Sequence, residues 1–278
     1  MNRRDFLIAL LSTPGLLAIS SASCKRQEKE SSGVLVNDVH TKLNPTIVDH
    51  IVYPDSLESI QKTITDARLR GKSVCIAGTR HAMGAQQFAT DGVFIDMTSL
   101  SRVVDFNSEK GTIDVEAGIR WPQVIGYLLE TQKGHNKQWG IAQKQTSDWI
   151  SIGGSLGSNI HGRGLNMKPF IQDIDSFVLL DSNGNRQKCS RSENPELFRL
   201  AIGGYGLFGV VYSIKLRLLP RQKVERVAKL IDIEDLMTAF KKYIENGYAY
   251  GTFLYSSLLK SRVRRLSKKG SSFVLSSC

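Results

Sequence analysis

The chain has 278 residues, with 37 basic and 26 acidic side chains, a net charge of +11 and 41% hydrophobic residues. With 24 glycines and only 7 prolines, it is a globular chain with room for one large or two modest domains, and wholesale disorder and collagen-like repeats are excluded. The four cysteines (Cys24, Cys75, Cys189 and Cys278) show no metal-pair spacing, and six of the basic residues crowd into residues 256–278, so the charge makes no case for a nucleic-acid-binding face.

Asn2-Arg3-Arg4-Asp5-Phe6-Leu7 sets two arginines ahead of an apolar stretch that runs to about Ala22. It is shorter than the ~18–20 uninterrupted apolar residues of a membrane span, and Ser21-Ala22-Ser23 supplies small residues for cleavage. Residues 1–23 therefore read as a signal peptide, and the RRxFL arrangement resembles a twin-arginine signal, whose pathway exports folded proteins. The expected location is periplasmic, or on the outer side of the inner membrane if the N-terminus stays uncleaved as an anchor. Cys24 resembles a lipid-attachment cysteine, although Ser21 stands where that pattern usually has leucine. Residues 24–45 read as a linker, with a flexible, charged stretch up to Gly33.

Thr46–Tyr53 alternates apolar and polar residues as one half-buried strand does. Asp55 or Ser56 can cap a helix to about Arg70, with Leu57, Ile60, Ile64 and Ala67 on one face. Strands follow at Ser73–Ala77 and Val93–Met97, then a hairpin of Val103–Phe106 and Thr112–Glu116. Trp121-Pro122 opens a helix, because proline is tolerated in the first turn. Ile174–Asp181 and Arg186–Cys189 pair across Asn183-Gly184. Asn194-Pro195 starts a short helix, and Val210–Leu219 is a long strand. Hairpins between interspersed helices and strands predict an α+β fold, not a doubly wound parallel sheet. Beyond a boundary at Arg221–Lys229, a strand (about Val224–Ile231), a helix (Glu234–Glu245) and a strand near Tyr248–Tyr255 are expected.

Gly204-Tyr205-Gly206-Leu207-Phe208-Gly209 fits the dinucleotide pattern GxGxxG, but a helix precedes it and a strand follows. That is the inverse of the strand-then-helix context the motif needs, so these glycines read as turn formers.

Two other glycine segments carry the chemistry. Gly78-Thr79-Arg80-His81-Ala82-Met83-Gly84 follows a strand directly, and its small residues let backbone N–H groups wrap an anionic group. In Ser151-Ile152-Gly153-Gly154-Ser155-Leu156-Gly157-Ser158-Asn159-Ile160-His161-Gly162 nothing bulky protrudes from the first half, so a flat ligand can lie against the backbone.

In order, these segments with IDMTSLSRV, EAGIRWPQV and NPELFRLAIGGYGLFGVV resemble the FAD-binding domain of the vanillyl-alcohol oxidase family, the PCMH-type domain. The resemblance spans about Thr46 to Pro220 and looks nearest to aldonolactone oxidases and the decaprenylphosphoryl-ribose oxidase group. It implies two small α+β subdomains over residues 46–220 with FAD between them. It assigns Gly78 to Gly84 to the pyrophosphate, places Gly153, Gly154, Ser158, His161 and Gly162 along the flavin and its linking chain, and sets Val210 near the adenine. His81 is either joined covalently to the flavin 8α-methyl or only hydrogen-bonded to phosphate or backbone. The resemblance implies oxidation of an alcohol carbon of a sugar, sugar lactone or polyol, with electrons passing to oxygen or another acceptor and no catalytic base assigned. The alternative is a non-catalytic flavin-binding protein or an inactive fragment of such an enzyme. No metal and no nucleic acid are expected. Residues 221–255 then read as the start of a truncated substrate domain. Residues 256–278 read as a disordered, basic, serine-rich tail of the kind a reading-frame shift produces, or as a natural tail for an acidic partner or membrane surface.

Overall fold

Ser56 opens the first helix, Leu57–Leu69 (α1): its hydroxyl accepts from the Ser59 N–H at 3.2 Å, and the Ser59 hydroxyl accepts in return from the Ser56 N–H. This capping box leaves the helix free to bury Ile60, Ile64 and Ala67 on one face. The computed structural model describes residues 33–255 and 271–277. The expected signal peptide at residues 1–23 lies outside them.

Strand β1 (Val34–Val36) pairs with β2 (Thr46–Val48), while β3 (His50–Val52) pairs in parallel with another sheet. The single strand expected over Thr46–Tyr53 is therefore two strands in two sheets. The break falls at Asp49, whose carboxylate is bound by Arg70 at 2.7 Å and Lys72 at 3.1 Å. Residues 34–44, expected to belong to the linker, carry β1 and an ordered turn.

Strands β4 (Val74–Ala77) and β5 (Val93–Asp96) complete a three-stranded sheet in the order β3-β5-β4, all parallel, with α1 as the crossover from β3 to β4. The α+β expectation holds for the chain as a whole, but this small half is parallel. The hairpin signals elsewhere had hidden it. Its central strand β5 is buried on both faces, as parallel strands usually are, while β3 and β4 are half-buried. Phe94 and Ala77 join Val36 and Val48 in a small cluster, while Ile95 on the opposite face joins the main core.

The second half is a five-stranded antiparallel sheet. It comprises β6 (Val103–Asn107), β7 (Thr112–Glu116), β9 (Ile174–Leu180), β10 (Arg186–Ser190) and β11 (Val210–Arg217), in the order β10-β9-β11-β7-β6. A two-residue strand, β8 (Trp139–Gly140), pairs with β12 (Leu219–Pro220) at one side. Helices α2 (Trp121–Thr131), α3 (Ile152–Gly157) and α4 (Pro195–Ala201) pack against this half. One core joins it to α1: Ile60, Ile64 and Ile95 share a cluster with Val115, Trp121, Ile152, Leu179, Phe198 and Ile214.

Beyond it come β13 (Glu225–Ile231), α5 (Leu236–Glu245) and β14 (Tyr250–Tyr255), close to the expected bounds. They are tied back by the Tyr250 hydroxyl donating to the Ala142 carbonyl (2.9 Å) and by the Gly251 N–H donating to the Arg163 carbonyl (2.8 Å). The expected disorder of the tail is corrected in part. Ser271–Ser277 forms strand β15, which runs between β13 and β14 and pairs antiparallel with both. The physical reason is local: Phe273-Val274-Leu275 is a short β-forming run that the serine-rich average of the tail concealed. Residues 256–270 lie outside the described residues. Among the described residues no helix is long and apolar enough to cross a membrane.

Candidate flavin site

A cavity of about 300 Å³ lies between the loop after β4 and helix α3. Gly78, Thr79, Arg80, His81 and Ala82 line one wall, Gly153, Gly154 and Ser158 line the other, and Tyr205, Gly206 and Val211 close one end.

The first wall is unusual in its backbone. Among the described residues, none of the N–H groups from Thr79 to Gly84 donates to a protein acceptor. Such a run beside a cavity is a ready-made anion cradle, since unpaired backbone donors seek acceptors. Arg80 holds the left-handed region at φ 54°, which an ordinary side chain enters at a cost. The loop is fixed from below by Gln87, whose Nε2 donates to the Ala82 carbonyl at 2.8 Å. The Gln87 Oε1 is buried without a partner among the described residues, and the side chain lines the cavity.

The second wall, a glycine-rich segment in the sequence, is helical. Residues 152–157 form a helical turn capped by Ser151, whose hydroxyl accepts from the Gly154 N–H at 3.2 Å. Glycine costs about 1 kcal/mol per helical position relative to alanine. Here packing overrides propensity: Ile152 and Leu156 are buried, and the Trp121 indole donates to the Ser155 hydroxyl at 3.1 Å. The Gly153 N–H donates to the Ala117 carbonyl at 2.7 Å, and a Cβ on Gly153 would lie 2.8 Å from that same oxygen. Gly78 has the same role across the site, because a Cβ there would lie 2.8 Å from the Ser151 Cβ and overlap its hydroxyl. Glycine at 78 thus allows the two walls to come together, and glycine at 153 lets α3 seat against Ala117.

The Gly204–Gly209 segment is a turn, as its context required. Gly206 and Gly209 have φ of 82° and 136°, and the Tyr205 N–H donates to the Gly157 carbonyl at 2.9 Å, which stitches the turn to the end of α3.

Not every expected residue reaches the cavity. Met83 and Gly84 sit at the exposed tip of the loop. His161 is exposed and its ring Nδ1 lies 3.1 Å from the Gly162 carbonyl, while Gly162 packs against Gln143. Val210 is buried in the core and its neighbour Val211 lines the cavity, because successive strand residues face opposite sides. Sequence reasoning missed Ser151, for which the cap-then-small-helix pattern was a signal. It also missed Gln87 and His40, for which there was none. Among the described residues no cluster of His, Cys, Asp and Glu could hold a metal.

His81 lines the cavity and meets His40 from the turn after β1, with His40 Nε2 2.6 Å from His81 Nδ1. Burial, then the neighbouring His40 charge, holds the His81 imidazole below its ordinary pKa and so favours its neutral form.

These features suit a long, flat cofactor with a diphosphate: backbone donors without partners, two close-approach glycines and a groove with few protruding side chains. Comparison with known proteins agrees. The FAD binding domain family matches residues 48–190. This chain belongs to the PCMH-type FAD-binding domain family. It is 31% identical over 194 residues to the uncharacterized oxidoreductase ORF5 in the fasciation locus of Rhodococcoides fascians, covering 70% of this chain and 42% of that protein. It is 26% identical over 205 residues to L-gulonolactone oxidase of Bos taurus, covering 73% and 44%. To cytokinin dehydrogenase 9 of Oryza sativa subsp. japonica it is 28% identical over 193 residues, covering 66% and 36%. The chain spans about two fifths of the length of these relatives.

Proposed function

We propose that the chain is the flavin-holding part of an oxidoreductase that removes hydride from an alcohol carbon of a sugar lactone or related polyol. The observation that carries the cofactor reading is the run of N–H groups at Thr79–Ala82, without an acceptor among the described residues, beside a wall that Gly78 allows to approach. The lactone reading is supported by the likeness to lactone oxidases, and aldonolactone oxidases are also the relatives its ordered motifs resemble.

FAD, once bound, supplies the two-electron acceptor. The chain's own residues bind and orient it. The Thr79–Ala82 amides would donate to the diphosphate, with Arg80 supplying a countercharge. Gly153 and Gly154 let the ring system lie against the backbone of α3, and Ser158 and Gln87 offer polar contacts along it. Val211, Ile76 and Phe208 exclude water from the apolar end of the cavity. His81, kept neutral, has a lone pair to offer the flavin, as a nucleophile or as a hydrogen-bond partner.

Titration with FAD tests the first part: saturable quenching of flavin fluorescence is expected, and its absence refutes the site. A panel of aldonolactones, with a cytokinin as the contrasting substrate class, tests the second. Reduction of bound flavin by a lactone supports the reading, whereas reduction by the cytokinin alone overturns it. Flavin colour that stays with acid-precipitated protein supports a covalent His81 link, and colour in the supernatant leaves the hydrogen-bonded role. Export rests on Arg3-Arg4 and the apolar stretch after them, and Cys24 or an uncleaved N-terminus would tether the chain to the membrane.

A further inference from the structure

We propose that His40 is a positioning residue for His81: by occupying Nδ1 it fixes the ring and leaves Nε2 as the nitrogen His81 offers the cofactor. The proposal rests on the flavin reading of this cavity.

His40 is held in place by its own turn. The Asp38 side chain is buried, and its Oδ1 accepts from the backbone N–H groups of His40 (2.9 Å) and Thr41 (2.6 Å). Its Oδ2 accepts from the Thr41 hydroxyl (2.8 Å) and the Asn44 amide (3.3 Å). The turn is then bolted to the cofactor loop at two further points. The Val39 N–H donates to the Arg80 carbonyl at 3.1 Å, and the Asn44 amide donates to the Met83 carbonyl at 2.7 Å. The histidine contact thus joins two braced backbones.

A nitrogen-to-nitrogen distance of 2.6 Å accommodates one proton between the rings. If both facing nitrogens carried protons, two donors would confront one another, so the pair resists double protonation. Whichever ring supplies the shared proton, Nδ1 of His81 is committed to His40. The other charged groups around the pair are Asp38 and Lys42 on the turn, Arg80 on the loop, and Asp96 and Arg120 across a neighbouring recess. Asp96 is engaged by the Thr98 N–H and hydroxyl, and the Arg120 guanidinium lies over the Trp149 ring at 4.8 Å. His40 is therefore the partner in reach of Nδ1.

The test uses the full chain with His40→Phe and His40→Gln, each alone and in a His81→Ala background. FAD affinity is measured by fluorescence from pH 5 to 8, and the ring nitrogens of His81 are followed by ¹⁵N NMR with and without FAD. His40→Phe keeps the ring shape without its nitrogens and should weaken FAD binding roughly 3- to 30-fold, the range of one to two hydrogen-bond energies. It should also raise the pH midpoint of His81, since the neighbouring charge is gone. His40→Gln retains a partner for Nδ1 and should recover most of the affinity. In the His81→Ala background neither change should matter further. Unchanged affinity and midpoint in His40→Phe overturn the proposal, as does an equal loss in the His81→Ala background, which would mark His40 as a mere fold residue. If the wild-type chain takes up no FAD, the flavin reading falls with it. If FAD binds and the His40 variants behave like wild type, only the His40 role falls.

Discussion

Replacing Gly78 with alanine puts a methyl group where Ser151 already sits. The new Cβ would lie 2.8 Å from the Ser151 Cβ and would overlap its hydroxyl, and Ser151 is 1% exposed, so it has nowhere to retreat. If the hydroxyl rotates away, α3 loses its cap to the Gly154 N–H, worth about 1 kcal/mol. If it stays, overpacking costs about 1–3 kcal/mol. Either way the loss is about 1–3 kcal/mol, or a fall in melting temperature of about 2–12 °C for a chain of this size. Both walls of the cavity would separate, so FAD affinity should fall with stability. Thermal melts by circular dichroism and FAD titration of Gly78→Ala, Ser151→Ala and the double variant decide the matter. Because the two residues share one contact, the double variant should lose less than the sum of the single losses. Strict additivity, or a Gly78→Ala protein that melts and binds like wild type, would refute the close-approach argument.

Gly154→Ala serves as a contrast: its Cβ would meet the Ser151 hydroxyl at 3.1 Å, and the melt should shift far less than for Gly78→Ala. Gly209→Ala, at φ 136°, should destabilise the turn before β11, as a denaturant melt will show. Asp173 is held up at about pKa 6 by burial, against the opposing pull of Gln143 and Arg217. Its folded pKa lies above the unfolded value, so this group contributes its stability below about pH 4 and loses it as pH rises to 6. Asp173→Asn should therefore flatten the stability profile between pH 4 and 6 and raise the melting temperature at pH 7. Replacing Arg3-Arg4 with Lys-Lys should strand the precursor in the cytoplasm on cell fractionation, while unchanged delivery would leave an ordinary secretory signal or an anchor.

The elements that sequence reasoning located well are those whose signals are local. The Ser56 cap, the Trp121-Pro122 start and the Asn183-Gly184 hairpin each lie within a few residues of the structure they cause. The inverted context of Gly204–Gly209 was equally legible. What failed depends on distant partners. Nothing around Asp49 says that the chain changes sheets there, because the salt bridges that hold the break come from Arg70 and Lys72. A helix with three glycines looks like a loop until Ala117 and Trp121 are known to pack on it. Val210 and Val211 are one residue apart, and only the strand's final register decides which faces the cavity. His40 is 41 residues from its partner, and no spacing rule connects the two.

The two walls of the cavity are also far apart in the order in which the chain is made. The loop at Gly78–Gly84 emerges early, while the end of the cavity is closed by Val211 on β11. At the usual 5–20 residues/s, roughly 6 to 25 s of synthesis separate them. Through that interval the loop's backbone donors can be satisfied only by water, and no groove exists to receive a ring system. Cofactor uptake must therefore follow translation of β11, so supplying FAD during early elongation should bring no advantage over adding it to the completed chain.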